Sequence, residues 1–268
     1  MSGTTLVARI TPALPLGRSM AWRLVARNLV VARRAWLLIV SGFFEPVFYL
    51  VALGVGVGKL VGTIEVAGQA VPYAEFVAPA LLAASAMNGA IYESTSNVHA
   101  KLFFKTYEGT MATPLRVRDI AVGELIFALM RGGIYAIGFV VVMLALGLAQ
   151  SWWVLAAVPG ALLVGAAFGA IGLFVVTFIR TWADFGYVEV VLLPLFLFSA
   201  TFVPLAEYPP VAQWIVPLTP LYHGVELLRA LALGTVGAGT LVHVAYLVAM
   251  AVVGLALADR RLERRLRT

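Results

Sequence analysis

The stretch LIFALMRGGIYAIGFVVVMLALGL, from Leu125 to Leu148, carries a single charge, Arg131. A run of that length and composition matches the roughly 30 Å hydrocarbon core of a bilayer, which takes about 20 helical residues to cross. In hydrocarbon every backbone N–H and C=O must find a partner inside the protein, so the run folds as a helix. Five more such runs lie along the chain, and the pattern predicts spans at 36–57, 76–98, 125–148, 153–179, 185–202 and 241–258. Composition agrees: of 268 residues, 62% are hydrophobic and 12% charged, with mean hydropathy +0.98. The expected fold class is an all-α polytopic membrane protein, with six transmembrane helices in one domain over residues 1–268.

Charge sets the orientation. Arg9, Arg18, Arg23, Arg27, Arg33 and Arg34 precede the first span, and Arg260, Arg261, Arg264, Arg265 and Arg267 follow the last. Lys101, Lys105, Arg116, Arg118 and Arg180 fall between spans on the same side, against Lys59 and Arg229 on the other. Basic residues stay cytoplasmic during insertion, so both termini are expected in the cytoplasm of a multi-pass protein of the plasma (inner) membrane. The net charge of +6 then reflects insertion bias and not nucleic-acid binding. Residues 1–35 read as cytosolic, without the short apolar core and cleavage site of a signal peptide. Within them MAWRLVARNLVVARR sets Trp22, Leu24, Val25, Leu29 and Val31 among arginines, the pattern of an amphipathic helix on an anionic leaflet. The chain has no cysteine and three scattered histidines, so neither a thiolate site nor a metal centre is expected.

Between the last two spans, residues 203–221 are apolar yet hold prolines at 204, 209, 210, 217 and 220. Proline removes a donor and clashes with the preceding turn, which predicts short broken helices re-entering the outer face. A solvated loop would not expose so much apolar surface. Pro204, Pro209, Trp214, Pro220, His223 and Arg229 are the candidate outer-gate residues. The lone His223 is expected to satisfy a neighbouring carbonyl, with a proton-sensitive gate as the rarer use. Trp152, Trp153 and Trp214 suit the membrane interface.

Ionisable groups inside the spans cost about 2.5 to 3.5 kcal/mol at the bilayer centre on insertion scales, so they should face protein or water. Glu45, Glu93, Glu124, Arg131 and Glu189 are in that position. They read either as interhelical hydrogen-bonding groups or, for Glu45 and Glu93, as groups that change partner during conformational change. Glu124 and Arg131 fall on one face of the third span. Gly165 and Gly169 carry the four-residue spacing of close helix approach, within the chain more often than between chains. GVGVGKL, Gly54 to Leu60, lacks the first Gly and the Ser or Thr of a phosphate loop, and reads as helix packing.

The loop after the second span begins KLFFKTYEGTM, with Phe103, Phe104, Tyr107 and Met111 on one helical face; Gly109 weakens that helix and Pro114 ends it. It reads as a helix capping the bundle or as a docking helix for a soluble partner. YEGTMATPLRVRDIAVGE resembles the type-2 ABC exporter permeases, in which a Gly-Thr pair precedes Thr-Pro-Leu and a Gly-Glu opens the third span. LFLFSATFVPLAEYPPVAQWIVPLTPLYHGVELLRALALG resembles the same family's fifth span, re-entrant outer loop and Pro-Leu-x-His run. The nearest branch includes nodulation-factor (lipo-oligosaccharide) and daunorubicin-type drug exporters. One departure is Ser199-Ala200, where the family commonly has Ser-Gly.

That resemblance implies a permease paired with a second copy or a close paralogue. It implies a cytosolic coupling helix seated in a separate ATP-binding subunit, through Phe104, Tyr107, Glu108, Gly109, Thr110, Pro114 and Leu115. ATP and Mg²⁺ would bind that partner, no cofactor would bind this chain, and an amphipathic drug, lipid or lipid-linked saccharide would be exported. Two other classes are an ion-coupled secondary carrier, expected to show repeated halves, and an intramembrane enzyme on lipid-linked sugars. The outer loops offer little for the latter beyond Glu65, Glu75, Glu207, Glu226 and two histidines.

Overall fold

A computed structural model of the chain describes residues 21–34, 44, 47–66, 68–107 and 116–267. Glu45 and the segment from Glu108 to Leu115 lie outside the described residues. The elements run α1 (Ala21–Arg34), α2 (Val47–Val61), a hairpin of β1 (Thr63–Val66) and β2 (Gln69–Pro72), and α3 (Tyr73–Phe103). They continue with α4 (Val117–Ala145), α5 (Trp152–Val175), α6 (Phe185–Leu197), α7 (Pro210–Ile215), α8 (Pro220–Leu233) and α9 (Ala238–Arg267).

Among the described residues α3, α4, α5 and α9 are long and apolar enough to cross a membrane. Helix α5 is their hub, packing on α3, α4, α8 and α9. Its glycines explain the role. A Cβ on Gly160 would stand 2.7 Å from Leu228 of α8, one on Gly169 2.8 Å from Leu125 of α4, and one on Gly172 2.0 Å from Ser94 Oγ of α3. Apolar contact with lipid and with a neighbouring helix are nearly equivalent, so close approach through small residues is what holds such helices together. Gly165 and Gly169 face Leu129, Leu125 and Ala90 of the same chain.

Several boundaries differ from the sequence-based spans. Helix α4 starts eight residues before Leu125, because the Arg116 amide donates to Asp119 Oδ2 at 3.1 Å and closes its first turn. Helix α6 stops at Leu197, before Phe202. Its 13 residues reach about 20 Å, short of the hydrocarbon core. Its stop is built in: Ala200 takes φ +55, and its carbonyl accepts Arg229 Nη2 at 2.8 Å. Helix α9 extends beyond the expected 241–258 at both ends. Near its end Arg265 donates to the Val176 and Ile179 carbonyls at 2.8 and 2.9 Å, capping the end of α5.

The segment from Lys59 to Glu75 is more ordered than a plain loop. Val66 pairs with Gln69 across a tight turn in which Gly68 takes φ +79. GVGVGKL is helical within α2, where a Cβ on Gly54 would stand 3.5 Å from Ala74 Cβ.

Candidate functional site

Helix α3 widens into π turns at Glu93–Asn97. There Ser94 Oγ donates to the Ala90 carbonyl at 2.7 Å and Thr95 Oγ1 to the Ile91 carbonyl at 2.6 Å, back-bonding that competes with the helix ladder. Such bulges recur at functional sites. Here Glu93, Ser96 and Asn97 line a cavity of about 850 Å³, within the size range of small-molecule sites. Its walls are α3 and α6, with Arg131 and Tyr135 of α4 and Tyr49 of α2. The His99 ring lies 4.9 Å from Trp182 and 5.4 Å from Phe185, so α6 begins level with the end of α3. The two helices therefore grade in polarity together. From that level α3 lines the cavity first with Asn97, Ser96 and Glu93 and then with Asn88, Ser85, Ala84 and Leu81, and α6 lines it first with Glu189 and then with Leu193 and Phe196.

One ion pair sits in that wall. Arg131 Nη1 donates to Glu93 Oε2 at 2.6 Å and Nε to the Tyr135 hydroxyl at 3.0 Å, while Asn97 Nδ2 donates to Glu93 Oε1 at 2.8 Å. Glu189 lines the same space, is exposed, and has no hydrogen bond or ion pair among the described residues.

Glu124 belongs elsewhere. It is 3% exposed and accepts from three elements at once: Lys101 Nζ at 2.7 Å, Asn28 Nδ2 at 3.0 Å and the Tyr107 hydroxyl at 3.0 Å. Lys101 Nζ also reaches Asn28 Oδ1 at 3.2 Å. The neighbouring Gly123 admits α1, since a Cβ there would stand 2.8 Å from Leu24 Cδ2 and 3.0 Å from the Ala21 carbonyl. Helix α1 accordingly buries Ala21, Leu24, Val25 and Asn28 and leaves Trp22 and Leu29 exposed. Burial first, and then the Glu124 carboxylate, push the Tyr107 phenol well above its ordinary pKa, so it remains a donor.

The single aromatic face expected over Phe103 to Met111 is broken. The helix ends at Phe103 and Lys105 takes φ +54, which turns Phe103 and Phe104 outward and Tyr107 into the core. Glu108, Gly109, Thr110, Pro114 and Leu115 lie outside the described residues.

At the opposite end the prolines initiate helices. Pro204 and Pro209 are N-caps, and Pro210 and Pro220 occupy first turns, where a missing N–H costs nothing. Trp214 is 82% exposed. Arg229 is 3% exposed, stacked 3.8 Å over Phe76 and paired with Glu226. His223 Nδ1 faces His243 Nδ1 at 2.9 Å, so one proton is shared between the two rings.

Residues 20–233 match the model of the ABC-2 type transporter family. The chain belongs to that family. Over nearly full length it also resembles proteins named Nodulation protein J. The one from Rhizobium leguminosarum bv. trifolii is 32% identical over 269 residues, covering 99% of each chain. That of Bradyrhizobium diazoefficiens is 31% identical over 264 residues, 96% of this chain and 98% of its own. That of Sinorhizobium fredii is 30% identical over 262 residues, 97% of each.

The ABC-2 match gives both charge clusters a setting in a membrane transport protein. Two residues that sequence reasoning placed in separate groups, Tyr107 and Glu124, form one cluster. Asn28 and Lys101 complete it without having been singled out as site residues. The signal for Asn28 was present: it continues the 21, 24, 25, 28 stripe of α1, where a polar residue on a buried face needs a partner. Arg131 and Glu124, expected on one face of α4, diverge to different partners.

Proposed function

We propose that the chain is the membrane-spanning half of an ATP-driven exporter of amphipathic molecules, with a lipo-oligosaccharide as the first substrate to test. The observation that carries this reading is the graded cavity in an ABC-2 chain. Hydroxyls, amides and charges at one end suit a sugar or other polar head, and Leu81, Leu193 and Phe196 at the other suit an acyl tail. In this reading the chain crosses the inner membrane six times, α2 and α6 included, with both termini in the cytoplasm and residues 203–221 re-entering from outside. A second copy or a close paralogue completes the path. ATP and Mg²⁺ bind a separate subunit that docks at the Lys101 to Pro114 segment, with exposed Phe104 as a contact and buried Tyr107 as the relay into Glu124.

Reconstitution with an ATP-binding subunit, sought first in the neighbouring reading frames, tests the proposal. Proteoliposomes are expected to move a lipo-oligosaccharide with a fluorescent acyl chain in an ATP-dependent manner. Steady ATP hydrolysis with no movement of saccharide, lipid or drug probes would refute export. Failure of the two proteins to associate would refute the coupling assignment.

A further inference from the structure

The cavity wall holds two carboxylates, Glu93 and Glu189, and one guanidinium, Arg131. The guanidinium is committed: Glu93 takes Nη1 at 2.6 Å and Tyr135 takes Nε at 3.0 Å. Glu93 is committed in turn, with Asn97 on its other oxygen at 2.8 Å. The nearest cation along α3, Lys101, is bound by Glu124 and Asn28. Glu189 is left as a carboxylate without a partner among the described residues, at the polar end of the space. We propose that Glu189 sets the head-group charge this cavity accepts, admitting neutral and cationic amphiphiles and turning away anionic ones. The inference rests on the reading of the cavity as an amphiphile site.

The physical basis is local. Charges act over longer range and more strongly beside low-dielectric walls than in water. A head group entering between α3 and α6 meets the Glu93–Arg131 pair as a near-neutral dipole and Glu189 as a net negative charge. Among the described residues that line the cavity, Arg131 is the one cation and it is already paired, so an anionic head has nothing there to offset its lost hydration. A sugar head finds Tyr92 and Ser96 as hydrogen-bonding partners, and its tail takes the apolar end. The gradient also sets orientation: the head lies at the end marked by Glu93 and Glu189, level with the start of α6, and the tail points toward Leu81 and Phe196.

The test uses the full chain in phosphatidylcholine nanodiscs and three radiolabelled probes with the same dodecyl tail: dodecyl glucoside, dodecyl trimethylammonium and dodecyl sulfate. Binding to empty nanodiscs is subtracted. Wild type is expected to bind the first two and to hold the sulfate on the order of tenfold more weakly, a difference of about 1.4 kcal/mol. Glu189→Gln is expected to bring the sulfate to within about threefold of the glucoside (roughly 0.7 kcal/mol), and Glu189→Lys to make the sulfate bind more tightly than the trimethylammonium probe. Glu65→Gln in the hairpin, which is not among the cavity-lining residues, is the control and should match wild type. Equal binding of sulfate and glucoside by wild type overturns the proposal, as does an order that Glu189→Gln leaves intact. If that variant instead lowers a cross-linked dimer fraction and leaves the order alone, Glu189 belongs to a subunit seam and the proposal fails while the cavity reading stands. If even the glucoside fails to bind, the amphiphile reading falls and takes this inference with it.

Discussion

Tyr107 and Glu124 stand 17 residues apart in sequence and 3.0 Å apart in space, hydroxyl to carboxylate. That one bond ties the chain entering the described part of the α3–α4 loop to the second turn of α4. Lys101 and Asn28 complete the ring around the same carboxylate. Anything that pulls on the loop therefore acts on α1, α3 and α4 together.

Energetics of that ring are expected to be strongly non-additive. Glu124→Ala leaves the partly buried Lys101 ammonium without its counter-ion and is expected to cost about 3 kcal/mol, the lower end for a buried pair. Tyr107→Phe removes one hydrogen bond to a charge, a loss of about 1.5 to 3 kcal/mol. The double replacement Lys101→Met with Glu124→Leu should be far milder than either charge deletion alone. Thermal unfolding in detergent across this double-mutant cycle checks all three. Costs that simply add would show that the residues do not form a unit.

Ala200 offers a stabilising change. At φ +55 its Cβ opposes a backbone conformation that costs about 1 to 2 kcal/mol for an L-residue and that glycine adopts freely. Ala200→Gly is expected to raise the melting temperature by a few degrees, with the Arg229 bond to the residue-200 carbonyl retained. A fall in melting temperature would mean that the buried Cβ contributes more packing than strain.

Two glycines should respond in opposite directions. Gly172→Ala would drive a methyl to 2.0 Å from Ser94 Oγ, and overpacking of this kind costs about 1 to 3 kcal/mol. Gly132→Ala in α4 meets nothing within 4 Å and should gain roughly 0.5 to 1 kcal/mol from helix propensity. Parallel melts of the two variants decide the point.

Acid should loosen the outer end. Burial first, and then the neighbouring His243, hold the His223 imidazole below its ordinary pKa, against an opposing hydrogen bond to the Pro217 backbone. The facing groups are His243 and Tyr246 of α9, with Tyr222, Glu226 and Arg229 of α8. A base with a depressed folded pKa binds its proton more readily when unfolded, so stability is full above about pH 6.5 and declines as pH falls through and below that value. Melting temperature measured from pH 8 to 5 should drop more in wild type than in His223→Gln. Equal slopes would place the acid sensitivity elsewhere.

The long helices of this membrane fold were legible because hydrocarbon forces long apolar runs, and residues 203–221 form short helical turns between their prolines. What composition could not give was partner choice. Glu93 and Arg131 are 38 residues apart, and nothing local distinguishes that pairing from Glu124 with Arg131, which shared a helix face on paper. Glu93 lines the cavity from π turns at Glu93–Asn97 that coincide with Ser94 and Thr95 back-bonding, which periodicity alone does not register. The hairpin was hidden for another reason: four-residue strands are too short for alternation to stand out, and Gly68 alone marks their turn.

The glycine seams of α5 have a mechanical side. Where backbones meet with so little side chain between them, there are few rotamers to exchange, so α3, α4, α5 and α9 are locked as a stator. Helix α6 buries only Leu192 and rests on the bundle without such a seam. Opening and closing of the cavity then falls to this light wall, and distances measured between α3 and α6 should change through a transport cycle while those between α3 and α5 stay fixed.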